Sequence, residues 1–181
     1  MKKLSCAATI GMLAMAAVLA ACSPKFDWRD YRSPDAQFTA LFPGKPSVLT
    51  REIDLDGKKV SLTMTASQAE GSTFAIGSAV LASTEQAQAA LPAMKTALLN
   101  NIKGTVRSEK SAVAASSTLA GTRQKSSLGI EATGSQNGQP VLLVGRFVAQ
   151  DKHIFQIVIL GLESKLSRET IDTFMDSVKL E

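Results

Sequence analysis

The chain is poor in the residues from which most active sites are built. Its 181 residues contain one His, two Cys, one Trp and one Tyr, and aromatics make up only 5%. A single imidazole excludes His-pair metal sites and the His-Glu-x-x-His zinc motif. Two cysteines allow one disulfide at most, and one of them, Cys6, lies in an N-terminal segment with the marks of a leader. Neither sign of charge dominates, with 20 Lys and Arg against 16 Asp and Glu. No run of Lys or Arg gives the electrostatic footprint of nucleic-acid binding. The sequence also lacks a Gly-x-Ser-x-Gly elbow, a Walker loop and a calcium-loop pattern.

What is present begins at the N-terminus. Lys2 and Lys3 precede an uncharged apolar stretch, residues 4–21, rich in Ala, Leu and Met. A basic start, an apolar core and small residues at the end make a secretory signal, which by itself is an ordinary cleaved leader with Cys22 incidental. The stretch is diluted by Ala, Ser, Thr and Gly, and falls short of the ~20 strong hydrophobes that a bilayer span needs. Leu19-Ala20-Ala21-Cys22 resembles the bacterial lipobox. That resemblance implies cleavage before Cys22, a diacylglyceryl group on its sulfur and a further acyl chain such as palmitate on the new amine. Cys22 would then be the only cysteine left, with lipidation to account for it. Ser23 resembles the outer-membrane address of Gram-negative lipoproteins. The expected location is therefore the periplasmic face of the outer membrane, if the source is Gram-negative. Removing residues 1–21 leaves 18 basic against 16 acidic side chains, a net of +2. Two or three acyl chains anchor a protein durably where one does so only marginally.

The mature chain reads as a tether, residues 22–34, followed by one domain, residues 35–181. Residues 36–42 alternate with Phe38, Ala40 and Phe42 on one face, and Pro43-Gly44-Lys45-Pro46 stops them. Residues 48–55 and 59–67 are strands joined at Asp56-Gly57, a pair suited to a type I′ turn. Residues 72–81 form another strand. Ser83-Thr84-Glu85-Gln86 has capping-box spacing. It introduces a helix whose stripe is Ala87, Leu91, Met94, Leu98 and Ile102, with Pro92 either kinking it or opening a second segment. Asn100, Asn101 and Gly104 suit its exit. Residues 105–115 and 121–135 read as strands. Asn137-Gly138 is a second hairpin pair, and the very apolar runs 140–149 and 153–160 read as central strands. Ser167 caps a last helix with Ile171, Phe174, Met175 and Val178 on one stripe. The fold class expected is α+β with a predominantly antiparallel sheet.

The opening Trp28, Tyr31, Phe38, Phe42, Pro43-Gly44 and Pro46, the Asp56-Gly57 hairpin before a long helix, and the closing Phe174-Met175-Asp176-Ser177-Val178 together resemble the PsbP-like family. The likeness spans about residues 28–181, with Val178 in place of the usual aromatic. It implies an α/β/α sandwich, a central antiparallel sheet with helices on both faces. It also implies a binding, assembly or accessory role without shared catalytic residues.

The residues that could carry chemistry are few. His153 opens an apolar strand two positions after Asp151, which suits a general base or ligand but equally a plain strand end; one carboxylate and one imidazole make no metal site. Ser135 within Gly134-Ser135-Gln136-Asn137-Gly138 has a superficial nucleophile-loop look, and a strand end with a hairpin turn is the simpler reading. Glu52, Asp54 and Asp56 share a strand face at period two; weak cation binding is one reading, and a solvated strand face beside Arg51, Lys58 and Lys59 is the better one. Phe26, Trp28 and Tyr31 are candidate partner contacts, since such rings suit mixed apolar and wet sites. The same rings would also staple the N-terminus to the domain, which the family likeness favours.

No catalytic, cofactor-binding or metal-ligating residue is assigned, and the chain is read as a non-enzyme. The expected partners are the membrane, through acyl chains on Cys22, and an envelope protein; nucleic acid is not among them. The leading function is a lipid-anchored envelope accessory protein acting by protein contact. The alternative is a small-molecule or lipid-binding module, with a cleft between the sheet and the helix at 87–102, where Ala87, Ala89, Ala90, Ala93 and Ala97 leave space. A hydrolase dependent on His153 ranks third. Cells fed labelled palmitate should incorporate it into the wild-type protein and not into Cys22→Ser, read by autoradiography of the purified chain; equal labelling of both would exclude Cys22 as the acceptor.

Overall fold

The computed structural model describes residues 25–55, 57–118 and 121–181, with side chains left aside at 116–123. The leader, the lipobox, Cys22 and Asp56 lie outside the described residues. Ten strands and two α-helices follow in the order β1 (Arg29–Arg32), β2 (Phe38–Phe42), β3 (Ser47–Leu55), β4 (Lys58–Ala69), β5 (Ser72–Val80), α1 (Thr84–Ile102), β6 (Thr105–Thr118), β7 (Gly121–Gln136), β8 (Gln139–Gln150), β9 (His153–Leu162), α2 (Arg168–Ser177) and β10 (Lys179–Leu180). A 3-10 turn at Glu163–Lys165 joins β9 to α2.

Seven strands form one antiparallel sheet in the order β3-β4-β5-β9-β8-β7-β6, and β1-β2-β10 form a second, smaller one. Tight turns set the registers. Glu70 and Gly71 (φ 51° and 73°) close β4–β5, and Asn137 and Gly138 (φ 51° and 77°) close β7–β8. Both pairs have the two positive φ values that a type I′ hairpin demands. The β8–β9 turn places Asp151 at φ 53°.

The period-two alternation of the strands divides the core into two layers. On one face of the large sheet, Val60, Leu62, Ala79, Leu128, Ile130, Phe147, Ile154 and Val158 pack under α1 through Ala87, Ala90, Leu91, Met94 and Ile102. On the other, Phe74, Ile76, Leu142, Val148, Phe155, Ile157 and Ile159 meet Phe38, Ala40 and Phe42 of β2 and Ile171, Phe174 and Met175 of α2.

α1 starts where Ser83 Oγ accepts a hydrogen bond from the Gln86 N–H at 3.3 Å. It continues unbroken past Pro92, whose ring is exposed while Leu91 and Met94 beside it are buried. Its exit uses Lys103, not Gly104, in the left-handed region (φ 50°), and the Gly104 N–H bonds the Leu99 carbonyl at 2.8 Å. Polar ties fix the helix to the far edge of the sheet: Lys95 pairs with Glu109 at 3.1 Å, and Gln88 bridges Ser126 and Gln124.

The α/β/α sandwich is corrected by this arrangement. The protein is mostly β, built from two antiparallel sheets, with two α-helices among the described residues. The second face of the large sheet is not closed by a helical layer. Three short strands and the ten-residue α2 cover it, because the aromatic residues before Pro43 pair as strands and the chain end adds β10 to β2. Residues 29–32, within the segment read as tether, are β1 and pair with β2 from Arg29↔Phe42 to Arg32↔Thr39.

α2 is capped by Ser167 Oγ, which accepts from the Thr170 N–H at 3.2 Å. It is tied to β2 by Ser177, whose hydroxyl accepts from the Leu41 N–H at 2.9 Å. Its last turn receives the guanidinium of Arg146, which donates to the Met175 carbonyl. Burial pushes the Arg146 guanidinium below its ordinary range, with nearby Asp176 opposing the shift.

Close packing has replaced side-chain volume with backbone at one point that matters for α1. A Cβ on Gly134 would lie 2.3 Å from the Ile102 carbonyl oxygen, so the helix end rests directly on β7. Gly134→Ala should therefore destabilise the fold by about 1–3 kcal/mol, and Phe174→Ala by about 3–5 kcal/mol, both read as a lower midpoint in urea with an unchanged slope. A midpoint unmoved in Phe174→Ala would mean that α2 does not hold the second layer in place.

Candidate functional site

The large sheet is not continuous at one corner. β4 and β5 pair from Ala69↔Ser72 only as far as Thr63↔Ser78. Beyond that point β4 continues from Leu62 back to Lys58 with β3 alone, whereas Ala79 and Val80 continue with β9 alone. The strands splay because β5 is held to β9: the register runs on to Val80↔His153, and the Leu81 N–H bonds the Lys152 carbonyl at 2.8 Å. The β3–β4 hairpin is free to twist away as a two-stranded ribbon, in which twist is larger than in a wide sheet.

The first turns of α1 lie over the gap. The result is a cleft of ≈ 470 Å³ between Leu55, Lys58–Ser61, Val80–Ala82 and the Glu85, Gln86, Ala89 and Ala90 side of α1. This is within the size range of small-ligand sites. Its apolar lining comes from Leu55, Val60, Leu81, Ala89 and Ala90. Val80 is 63% exposed at its edge. Lys58 and Lys59 stand on the hairpin wall, with Lys59 3.1 Å from Glu52, and Glu85 stands on the helix wall.

A hydrogen bond from the Ser83 hydroxyl holds the Glu85 carboxyl below its usual range. Its own main-chain N–H and the Lys152 charge act in the same sense, and slight desolvation opposes them. The main chain adds a further property. In an antiparallel strand every second residue directs its N–H and C=O to a given side. Among the described residues, no strand pairs along Lys58–Leu62 with the side that faces the cleft.

The Ala stripe of α1 divides accordingly. Ala89 and Ala90 line the cleft, Ala87 is fully buried in the core, Ala93 packs against that core, and Ala97 faces outward. The space lies at the start of the helix and not along its length.

The other candidate residues fall elsewhere. His153 opens β9 opposite Gln150 and Val80, its ring stacked on Phe155 at 6.4 Å. It lines a second pocket, of ≈ 390 Å³, with Asp151, Lys152 and Glu181. Among the described residues no group of three His, Cys, Asp or Glu could hold a metal ion. Ser135 pairs with Pro140 at the end of β7. Glu52 is paired with Lys59, and Asp54 Oδ1 accepts from the Gly57 N–H at 2.7 Å.

Phe26, Trp28 and Tyr31 are half-buried. Phe26 and Trp28 both meet Phe74 edge-on at 6.4 Å, and Tyr31 meets Phe42 at 5.7 Å. Their rings face inward onto the second core layer. Among the described residues no helix is long and apolar enough to cross a membrane.

The splay is what sequence reasoning missed. It arises from where one strand stops pairing and another continues, and no local motif marks that point.

No family model matches the chain, and no curated protein matches it. A solved structure of PA94, a Pseudomonas aeruginosa protein of unknown function, is similar at a TM-score of 0.35 and 11% identity, over 77% of this chain and 85% of that one. A likeness at that level carries no argument about fold or role.

The Glu85 geometry makes a prediction with a definite sign. A carboxyl held low contributes stability above its unfolded pKa and loses it as pH falls through the folded value. Ser83→Ala should raise the Glu85 pKa toward the ordinary carboxylate range, followed by NMR titration. It should also cost about 1 kcal/mol through the lost cap; an unchanged titration would show that Ser83 does not hold the carboxylate.

Proposed function

We propose that this chain is a lipid-anchored accessory protein of the cell envelope, on the periplasmic face of the outer membrane, that acts by binding and not by catalysis. The observation that carries the reading is the cleft at the split between β4 and β5. It combines an apolar lining, unpaired main-chain edges and a charged rim. The groups within it are Lys, Glu, Gln, Ser and apolar side chains, and its one hydroxyl, Ser61, stands on a wall without an imidazole. The lipobox resemblance at residues 19–22 supports the anchor, and the proposed attachment is through acyl chains on Cys22.

A second reading, a small apolar or lipid ligand in the same cleft, is favoured by one specific feature, the lining of Leu55, Val60, Leu81, Ala89 and Ala90. The protein-contact reading is preferred because it also uses the open strand edges, which an acyl chain would leave unsatisfied.

Ala89 is an exposed helix position that lines the cleft, so Ala89→Trp fills the space without entering the core. Crosslinking in intact envelopes, followed by purification of the tagged chain, should recover a specific protein at about tenfold higher yield from wild type than from Ala89→Trp. Recovery of the same proteins at the same yield from both would remove the cleft from the function.

A further inference from the structure

We infer that the cleft takes an extended peptide segment, added as a strand in the gap between β4 and β5. The inference rests on the binding reading above and specifies its ligand. Three observations carry it.

The first is the interruption of the ladder. The pairing that ends at Thr63↔Ser78 would place Leu62 opposite Ala79 and Ser61 opposite Val80 if it continued; neither pair forms, and Ser61 and Val80 both line the cleft. Both sides of the gap are β-strands that remain fully paired on their outer sides, β4 with β3 and β5 with β9. β4 therefore offers an edge over Lys58–Leu62 and β5 a short one at Ala79–Val80, whose alternate N–H and C=O groups point into the same space. An added strand satisfies such an edge with main-chain hydrogen bonds and gains specificity from pockets for alternate side chains.

The second is the lining. Val60 and Leu81 with Ala89 and Ala90 of α1 make an apolar floor on the α1 side, and Ser61 and Val80 lie toward the opposite side. A segment with apolar residues at every second position would bury that set against the floor. An acyl chain would gain the same apolar contacts but would provide no partner for the strand edges, and an unpaired main-chain group removed from water is costly.

The third is charge. Lys58 and Lys59 stand on the hairpin wall and Glu85 on the helix wall. The segment that fits best carries an acidic residue on the side toward the hairpin and a basic one on the side toward the helix, which fixes its orientation.

The test is selection of a random peptide display library on the immobilised mature chain, with counter-selection on Ala89→Trp. Folding of each variant is checked by its urea midpoint. Enriched peptides should alternate apolar and polar residues. They should lose at least about tenfold in affinity for Ala89→Trp and for Val80→Glu, a substitution at an exposed cleft-edge position. N-methylation of a central residue, which removes a main-chain donor, should weaken an enriched peptide by about three- to tenfold. Binding should also slow amide exchange along residues 58–62.

The inference is overturned if no cleft-dependent peptide is enriched, or if N-methylation leaves affinity unchanged. Laurate serves as the competing probe. If laurate protects the cleft and no peptide does, the ligand is an apolar small molecule and the binding reading stands without the peptide. If neither probe binds and envelope crosslinking is unaffected by Ala89→Trp, the binding reading falls as well.

Discussion

Phe74 and Phe174 hold the two halves of this protein together. Their rings meet edge-on at 5.4 Å with both side chains fully buried, one on the large sheet and the other on α2. From this pair a chain of rings runs outward: Phe174 to Phe42 at 5.5 Å, Phe42 to Tyr31 at 5.7 Å, and Phe74 to Trp28 and Phe26 at 6.4 Å. Tilted and edge-to-face contacts of this kind are worth about 0.5–1.5 kcal/mol each beyond area burial. The small sheet of four, five and two residues per strand could not stand alone. It exists because the rings fasten it to the large sheet, and it in turn seals the face that α1 does not reach.

That division of labour explains where the large sheet can be incomplete. On the α1 face, the helix crosses from the β3–β4 hairpin end to β7, ending against Gly134. On the other face, the aromatic layer covers the middle of the sheet around Phe74, Ile76, Ile157 and Ile159. The corner where β4 passes Thr63 is gripped on the α1 face, through Val60 and Leu62, and not by the aromatic layer, and there the ladder between β4 and β5 ends. β4 records the handover in its burial. Val60 and Leu62 are buried on one face in its first half, and Thr65 and Ser67 on the other in its second.

Much of this was legible in the sequence because it depended on local rules. Asn137-Gly138 declared its hairpin, since both residues accept positive φ, and Ser83 and Ser167 declared the helix starts. The strands at 72–81, 140–149 and 153–160 followed from their apolar content. Glu70-Gly71 forms the same turn type but is harder to see, because only its second residue favours the conformation. The helix exit fell to Lys103 where Gly104 was the natural choice; Gly104 answers a different need, since the Ile102 side chain lies 2.9 Å from where its Cβ would stand. β1 was hidden by its charges: Arg29, Asp30 and Arg32 give no apolar alternation, and the strand is specified by pairing with β2. The sandwich expectation came from the family resemblance; β2 was legible by its alternation, but its pairing with β1 and β10 into a second sheet joins segments far apart in sequence and leaves no local mark. The Ala-rich stripe on α1 pointed to space beside the helix, but its location required the register of β4 against β5, a long-range property.

β5 has two ends with different neighbours, and this sets a geometry of reach. Near one end Phe74 carries Phe26; at the other, Val80 borders the cleft. Six residues of strand separate them, about 20 Å at ~3.3 Å per residue. β5 therefore acts as a strut: it holds the open corner away from the ring contacts that fasten the N-terminal strands, so the cleft and the aromatic fastening stand at opposite ends of one strand.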